Sequence, residues 1–452
     1  MITKKVQVLS ETIKKLLHCH ADENLKNILA KAHHADIATV LSEMDVAGQT
    51  QIFLLLKNTE QMATVLSELQ LDLVSGLLEH LGAEKSAEIL SHVSPDDAAD
   101  ILEQLPEDLS SAILLRLKKE EAEEVEELIR YRPDTAGGIM SPEVFSLEEE
   151  MTVAEAIEQL QQARSVETVF YLYVVNMQGQ LVGVLSLKKL ILAARTIKLK
   201  EIMDKDPVRV RVDEDQEEVA RTVSRYNYLS LPVIDSSNAL VGVVTVDDVI
   251  DVIKEEATED LLLMTGAGKE AMTESTVMES LKKRMPWFLV TLVGGLIASE
   301  VIVRFTPFIT KVGLLAGFIP LVLAMGGNIG TQSMTIVVSS LTRGQCSLSQ
   351  VWDAMFHEFR LALILGVSYG FLLALFIGLR YGTWPFLPVA IGVALALSMI
   401  IAVAVGTSIP ILFKKIGIDP AVATGPFVTT LVNIFCMWVY FALATYLIGN
   451  TA

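Results

Sequence analysis

Hydrophobic and polar positions follow three different patterns along the chain. From residue 286 onward apolar residues run almost unbroken, in stretches at 286–305, 312–341, 361–379, 386–413 and 421–447. Each approaches or exceeds the roughly 20 residues that a helix needs to cross a bilayer. Five in succession predict five membrane spans. Residues 1–130 show no strand signal and read as helical throughout. Four phrases there are near copies, Ala38-Thr-Val-Leu, Ala63-Thr-Val-Leu, Ala87-Glu-Ile-Leu and Ala99-Asp-Ile-Leu, beginning 25, 24 and 12 residues apart. Such repetition predicts short antiparallel helices stacked into a small superhelix. Residues 138–253 alternate instead. Strand-like runs at 169–175, 182–185, 231–233 and 240–246 are interleaved with helical ones at 153–163, 216–226 and 247–255, giving the order β-α-β-β-α twice. Gly179-Gln-Leu-Val-Gly-Val-Leu-Ser-Leu187 returns as Asn238-Ala-Leu-Val-Gly-Val-Val-Thr-Val246, an internal duplication with a period of about 59 residues.

Charge sharpens the division. The 452 residues carry a net charge of −19. Only seven of the 36 Lys/Arg and four of the 55 Asp/Glu lie after Met285, so the last third is near +3 and residues 1–285 near −22. An acidic soluble part joined to an apolar membrane part excludes nucleic acid as a partner, because a phosphate backbone demands clustered cations. It suits metal cations, and equally a merely solvated surface. Cys19, Cys346 and Cys436 are far apart and fit a reducing compartment without disulfides. The polar start shows no apolar leader and is expected to remain cytoplasmic. Lys282, Lys283 and Arg284 before the first span, Arg343 after the second and Lys414 and Lys415 after the fourth agree with that orientation, which puts the C-terminus outside. Trp287 and Trp384 stand near the expected interfaces.

Two spans carry polar chemistry. In Met325-Gly-Gly-Asn-Ile-Gly-Thr-Gln332 the amides Asn328 and Gln332 are four apart and share a helical face. Amides in hydrocarbon need partners, from neighbouring helices or from water, so this segment is either helix–helix glue or part of a pore. The fifth span opens Asp419-Pro-Ala and continues through Gly425, Pro426, Thr429, Thr430 and Asn433. Pro426 is expected to free the carbonyl one turn back at position 422. Oxygen-rich, sulfur-free surroundings suit a hard ion such as Mg2+, which keeps several of its waters. Glu300, Arg304, Glu358 and Arg360, near span ends, read as snorkelling or paired residues.

Carboxylates cluster at Asp96, Asp97 and Asp100, at Asp213-Glu-Asp215, and along 247–260, where Asp248, Asp251, Glu255 and Glu259 fall on one helical stripe. Each cluster alone reads as a solvated face or a helix cap. Two facing acidic surfaces would repel, however, and a divalent ion would relieve the repulsion, which would make a sensor. The duplicated region resembles a tandem pair of CBS modules. Such modules often hold adenine nucleotides at a Ser/Thr-x-x-Asp turn. Thr245 and Asp248 supply one in the second copy, whereas the first copy has Lys189 at the acidic position.

Taken in order, a helical N domain (1–130), two CBS-like modules (131–199 and 200–253), an acidic connecting helix (254–284) and a five-span membrane domain (285–452) resemble the MgtE family of magnesium channels over nearly the whole chain. Pro133-Asp-Thr-Ala-Gly-Gly-Ile-Met140 and the two intramembrane motifs carry the likeness. The resemblance implies an integral protein of a prokaryotic-type inner or plasma membrane, a homodimer in contact with lipid, with a pore between the membrane halves. It implies inward Mg2+ flow down the electrochemical gradient. A divalent ion gains about 4.6 kcal/mol per 100 mV. No GxxxxGK[ST] motif suggests a hydrolytic pump, so no enzyme activity is expected. It further implies closure when cytoplasmic Mg2+ binds Asp96 or Asp97, Asp100, Asp248, Asp251, Glu256, Glu259 and Asp260, the connecting helix (about 253–284) acting as a plug. The chain departs from the family at Asn433, where an Asp usually stands in the pore, and at Asn227, where a regulatory Asp often follows the tyrosine. Asn433 motivates a second reading, transport of Co2+ or another cation. A membrane-tethered nucleotide or metal sensor that conducts nothing is a third.

Overall fold

The repeated apolar phrase of the first 130 residues becomes the core of a helical stack. A computed structural model describes residues 4–162, 171–266, 277–342, 348–382, 386–422 and 424–449. Among these, helices α1 (Lys4–His18), α2 (Asp22–Leu29), α3 (His34–Ser42), α4 (Val46–Leu54), α5 (Thr59–Ser67), α6 (Leu71–Leu90), α7 (Pro95–Gln104), α8 (Glu107–Leu114) and α9 (Lys119–Leu128) follow one another with short turns. In each copy of the phrase the Ala and the residues two and three positions on are buried: Ala38, Val40 and Leu41; Ala63, Val65 and Leu66; Ala87, Ile89 and Leu90; Ala99, Ile101 and Leu102. One turn of helix thus offers the same three-residue plug four times, and the copies share one hydrophobic core.

The duplicated region folds as two modules. The first contains β1 (Ser146–Glu148), α10 (Val153–Gln162), β2 (Tyr171–Val175), β3 (Leu181–Ser186), α11 (Leu187–Leu192), α12 (Leu199–Ile202) and β4 (Asp204–Lys205), with strand order β1-β2-β3-β4. The second contains β5 (Val210–Arg211), α13 (Gln216–Tyr226), β6 (Ser230–Ile234), β7 (Leu240–Thr245) and α14 (Val246–Thr265), with order β5-β6-β7. In both, the first strand pairs parallel to the second and the second antiparallel to the third. The 59-residue period is kept in register: Tyr171 pairs with Ser186 and Ser230 with Thr245, and each hairpin is bulged at the equivalent step. Gly179 (φ 74°) and Asn238 (φ 69°) are equivalent left-handed turn residues. Their carbonyls accept from the opposite module, Leu240 N–H to Gly179 at 3.1 Å and Leu181 N–H to Asn238 at 3.0 Å, so the two hairpins grip each other reciprocally. Residues 133–141, expected to open the first module, instead bond the second: Ala136 N–H donates to Glu214 O (2.7 Å), and Ser141 exchanges backbone bonds with Val243 (2.8 and 2.9 Å). The first residues of the strand run expected at 169–175, and Ala163, lie outside the described residues.

The chain divides into two compact units, Met1–Lys254 and Glu255–Ala452. The second holds α15 (Val277–Arg304), short α16 (Thr306–Ile309) and α17 (Leu314–Gly317), then α18 (Ile319–Thr342), α19 (Leu348–Tyr381), α20 (Leu387–Lys415), a π-helical turn (Thr424–Val428) and α21 (Thr429–Gly449). Five helical segments among the described residues are long and apolar enough to cross a membrane: Ser280–Arg304, Leu314–Leu341, Trp352–Tyr381, Leu387–Lys415 and Gly425–Ile448. Of the connecting helix expected over about 253–284, residues 267–276 lie outside the described residues. α14 ends at Thr265, followed by Gly266 with φ 75°, a left-handed residue that cannot continue a right-handed helix, and the described part of α15 starts at Val277. Arg343, Cys346 and Trp384 lie outside the described residues.

Backbone proximity, rather than large side chains, brings the spans together. A Cβ on Gly392 of α20 would stand 2.3 Å from the Gly370 carbonyl of α19, and one on Gly406 would stand 2.5 Å from the Gly330 carbonyl of α18. In lipid, where no hydrophobic drive joins helices, such approaches supply the packing. Gly392→Ala is therefore expected to lower the melting temperature of the detergent-solubilised protein, at about 1–3 kcal/mol of overpacking. Gly76→Ala, at a helical site with open space around it, serves as the control and should not. Equal melting of the two variants would contradict this packing.

Candidate functional site

Two helix starts place carboxylates against one another within the first unit. Ser94 is the N-cap of α7 and Pro95 its first residue, which sets Asp96 and Asp97 in the opening turn. The Ser94 hydroxyl makes no backbone cap; it lies beside those two carboxylates and favours their charged forms. Thr245 precedes α14, whose opening turn carries Asp247 and Asp248. The Asp248 carboxylate turns back to accept from the Thr245 N–H (3.3 Å) and hydroxyl, a capping arrangement. Acids suit helix N-termini singly, but these two starts share a field. Burial pushes Asp96 up to about 6, helped by the Asp97 charge. Asp97 is raised by burial first and then by the charges of Asp247 and Asp251, against hydrogen bonds from Ser67 and Ser94. Burial pushes half-buried Asp248 up to about 7, with the Asp96 and Asp247 charges adding to it and the Thr245 hydroxyl opposing. One Asp96 oxygen, Oδ1, is buried with no hydrogen-bond partner.

The arrangement favours a cation. Partly buried Asp96, Asp97 and Asp248 repel one another and the exposed Asp247 and Asp251 across two domains, and one Asp96 oxygen is buried without a partner. No group of three or more His, Cys, Asp or Glu among the described residues is close enough to hold a metal ion directly. The donor set thus fits a hydrated hard ion, bridging through its waters, better than a stripped one. Asp247 belongs to this field although sequence reasoning omitted it from the candidate ligands; the acidic pair at a helix start was the available signal.

The other candidate acids are placed differently. Asp100 is exposed one turn further along α7 and already engaged. Asp251 is exposed and pairs with Lys254 at 2.6 Å. Asp213 pairs with Arg211 at 2.9 Å, whose hydrogen bond holds its carboxyl below the usual range; the Arg211 cation already serves it. Glu256, Glu259 and Asp260 lie on the part of α14 assigned to the second unit, half-buried and each engaged. The turn expected to take a nucleotide ribose has its carboxylate, Asp248, committed to Thr245 and the acid field. In the first module the equivalent Ser186 caps Lys189 N–H (3.3 Å), and the Lys189 ammonium pairs with Asp204 at 2.7 Å. Asn227 closes α13 in the left-handed region, φ 54°, a conformation Asn tolerates better than most residues. That is a local reason for an amide there.

In the membrane part, Asn328 and Gln332 are exposed on α18, on the face turned from this chain's own core, while Gly326, Ile329, Gly330 and Ser333 are buried. The expectation that Pro426 frees the carbonyl of Val422 is corrected. The α-helix begins only at Thr429, after a π-helical turn kinked at Gly425 (ψ −112°), so no helical bond to position 422 exists to be lost. The Gly425 carbonyl accepts the Thr429 hydroxyl at 3.1 Å. Asn433 is half-buried on α21, its Oδ1 4.0 Å from where a Cβ on Gly327 would stand. The end of α14 lies on this same turn. A Cβ on Gly425 would meet the Met264 carbonyl at 2.7 Å, one on Gly266 would stand 3.0 Å from the Pro426 ring, and Leu263 and Met264 pack on the membrane-domain core. Glu300, Arg304 and Arg360 are exposed, but Glu358 is not a snorkelling residue. It is buried and accepts the Ser333 hydroxyl at 2.6 Å. Sequence reasoning missed Ser333 because nothing along the chain shows which helix faces it.

Comparison with known proteins places these features. Residues 319–443 match the family model described as a divalent cation transporter, residues 32–134 that of the MgtE intracellular N domain, and residues 136–195 and 199–255 that of the CBS domain. The chain is 36% identical over 326 residues to the magnesium transporter MgtE of Bacillus subtilis, covering 72% of both chains. It is 37% identical over 328 residues to that of Thermus thermophilus, again covering 72% of both. A crystal structure of the cytosolic domain of the Mg2+ channel MgtE in complex with ATP is 37% identical, with a TM-score of 0.51, over 54% of this chain and 99% of that one.

The acid field has a pH signature. A carboxyl raised to about 7 in the folded state and near about 3.9 unfolded makes the folded state bind the extra proton between those values. Raising the pH through that window removes the proton and weakens the folded state. Asp248→Asn keeps an acceptor for Thr245 without the charge. In metal-free buffer its melting temperature should therefore gain on wild type as pH rises from about 5 to about 8. A gap that is constant or shrinks with pH would contradict the shared field.

Proposed function

The chain belongs to the MgtE family of divalent cation transporters, and on that footing we propose that it is a Mg2+ channel held shut by Mg2+ on its cytoplasmic side. The observation that supports this most is the acid field between α7 and α14. Without Mg2+, Asp96, Asp97, Asp247, Asp248 and Asp251 repel, and the helical domain and second module separate. A hydrated Mg2+ among them offsets the repulsion and closes them. The signal then runs along α14. Its first turn carries Asp247 and Asp248, and its last residues rest on Gly425 and Pro426 at the opening of the span that carries Asn433. A helix of 20 residues is a rod of about 30 Å, so displacement of its acidic start moves its far end. The π-helical turn, a feature frequent at functional sites, is the element it would unseat.

Asn328 and Gln332 face away from their own chain, and amides in hydrocarbon need a partner. A second copy presenting the same face would enclose a polar path between the two membrane halves, which makes the working unit a homodimer. Lys414 and Lys415 at the end of α20 and Lys282 and Arg284 before the first span support an orientation with the N-terminal unit in the cytoplasm and the C-terminus outside. The ATP reported in the solved relative motivates an adenine nucleotide at the Thr245–Asp248 turn. Because Asp248 also belongs to the acid field, nucleotide and Mg2+ would act on one carboxylate. A second reading, transport of a different cation, is favoured by Asn433, whose amide keeps an oxygen acceptor but attracts a divalent ion less than a carboxylate does.

The test is Mg2+ uptake by liposomes holding the full chain, with Mg2+ varied on the sensor side. Wild type is expected to conduct at low sensor-side Mg2+ and shut as it rises. Asp97→Asn with Asp251→Asn should need about tenfold more Mg2+ to shut, about 1.4 kcal/mol of lost attraction. Asn433→Asp should raise selectivity for Mg2+ over Co2+ and monovalent ions. No uptake of any cation would leave only a non-conducting sensor. Uptake indifferent to sensor-side Mg2+ would remove the gating role of the acid field.

A further inference from the structure

Among the described residues of the whole chain, one charged side chain is fully buried, and it lies in the membrane: Glu358, 4% exposed. It stands on α19 six residues beyond the start of the span at Trp352, about 9 Å of helix further in. A carboxyl in such surroundings is costly and is retained where it does something specific. Its Oε2 accepts the hydroxyl of Ser333, itself 1% exposed, at 2.6 Å, and its Oε1 lies 3.6 Å from Nδ1 of exposed His357.

Ser333 follows Gln332 directly on α18, so the two side chains diverge by about 100° around the helix. Whatever keeps Ser333 turned inward keeps the amide face turned outward. α18 has polar ties near its two ends as well: Lys414 Nζ donates to the Leu341 carbonyl at 3.0 Å, and the Tyr440 hydroxyl donates to the Leu315 carbonyl, just before the helix, at 3.0 Å. Both of those grip backbone. The Glu358–Ser333 bond grips a side chain midway along, where it sets rotation rather than height. Its other anchor is firm, because α19 is seated on α20 by backbone contact at Gly370–Gly392 and by Gly366 against Ala396.

We propose that Glu358 is a positioning residue for the ion path: through Ser333 it locks the rotation of α18 and keeps Asn328 and Gln332 facing the conducted divalent cation. This rests on the transport reading above. The test compares wild type, Glu358→Gln, Glu358→Leu, Ser333→Ala and the Leu/Ala double variant for Mg2+ uptake in liposomes. Gln keeps an acceptor for the Ser333 hydroxyl. Leu fills the space without a polar group, and the Leu/Ala double variant, which removes both partners and leaves no buried hydroxyl unpaired, controls for folding.

Glu358→Leu and Ser333→Ala are each expected to cut uptake about tenfold, the scale of one buried hydrogen bond. The double variant should be no worse than Glu358→Leu alone, and Glu358→Gln should stay close to wild type. A cysteine at position 332 (Gln332→Cys) should react with a water-soluble thiol reagent above the background of the parent chain, and Glu358→Leu should reduce that increment. Wild-type uptake with Glu358→Leu unchanged, or with additive losses in the double variant, overturns the positioning role alone. So does loss of uptake without change in labelling. No wild-type uptake overturns the transport reading and this inference with it.

Discussion

Like charges held together at two helix starts are the constraint on which the N-terminal unit turns. Asp96 and Asp97 begin one helix, Asp247 and Asp248 begin another, and burial together with mutual repulsion raises three of these carboxyls above their ordinary range. A protein optimised only for stability would place a lysine or an uncharged residue at one of these starts. Here the acids in the opening turns of the two helices are the residues that repel. Local helix stability and domain–domain repulsion are therefore written into the same side chains, and a divalent ion can change the second while leaving the first in place.

The membrane unit depends on closeness of backbone. Gly330 against Gly406 and Gly370 against Gly392 allow α18, α19 and α20 to touch main chain to main chain. The same economy of side chains makes the turn at Gly425 and Pro426 narrow enough to receive the end of α14. The fifth span starts in a π-helical turn, and its Gly425 carbonyl is satisfied by Thr429. That is a joint rather than a continuous rod, and it lies where a helix originating at the acid field ends.

Much of this was legible along the chain. The A-x-[VI]-L repeats marked buried turns because period and burial coincide at Ala38, Ala63, Ala87 and Ala99. The 59-residue duplication survived into strand register and even into the paired left-handed residues Gly179 and Asn238. Hydropathy alone located the five spans. What periodicity could not convey is which surfaces meet. Nothing in the sequence joined Asp96 to Asp248 across 152 positions, or Ser333 to Glu358 on another helix. Residues 133–141 bond the second module although they precede the first. Glu358 took the paired rather than the snorkelling alternative, and the sequence could not name its partner because distance from a span end says nothing about rotation around the helix. The end of α14 at Thr265 follows from the left-handed backbone of Gly266, and Gly266-Ala-Gly268 after an apolar run was the available signal.

The most direct test of the account is hydrogen exchange on the full chain in lipid nanodiscs, with and without Mg2+ at matched ionic strength. Amides at 96–100 and 247–251 should slow when Mg2+ is added and should not respond to an equivalent ionic strength of Na+. Exchange at these two helix starts that ignores Mg2+, or that responds equally to Na+, would show that the carboxylates are only a solvated acidic face and would remove the physical basis of the sensor.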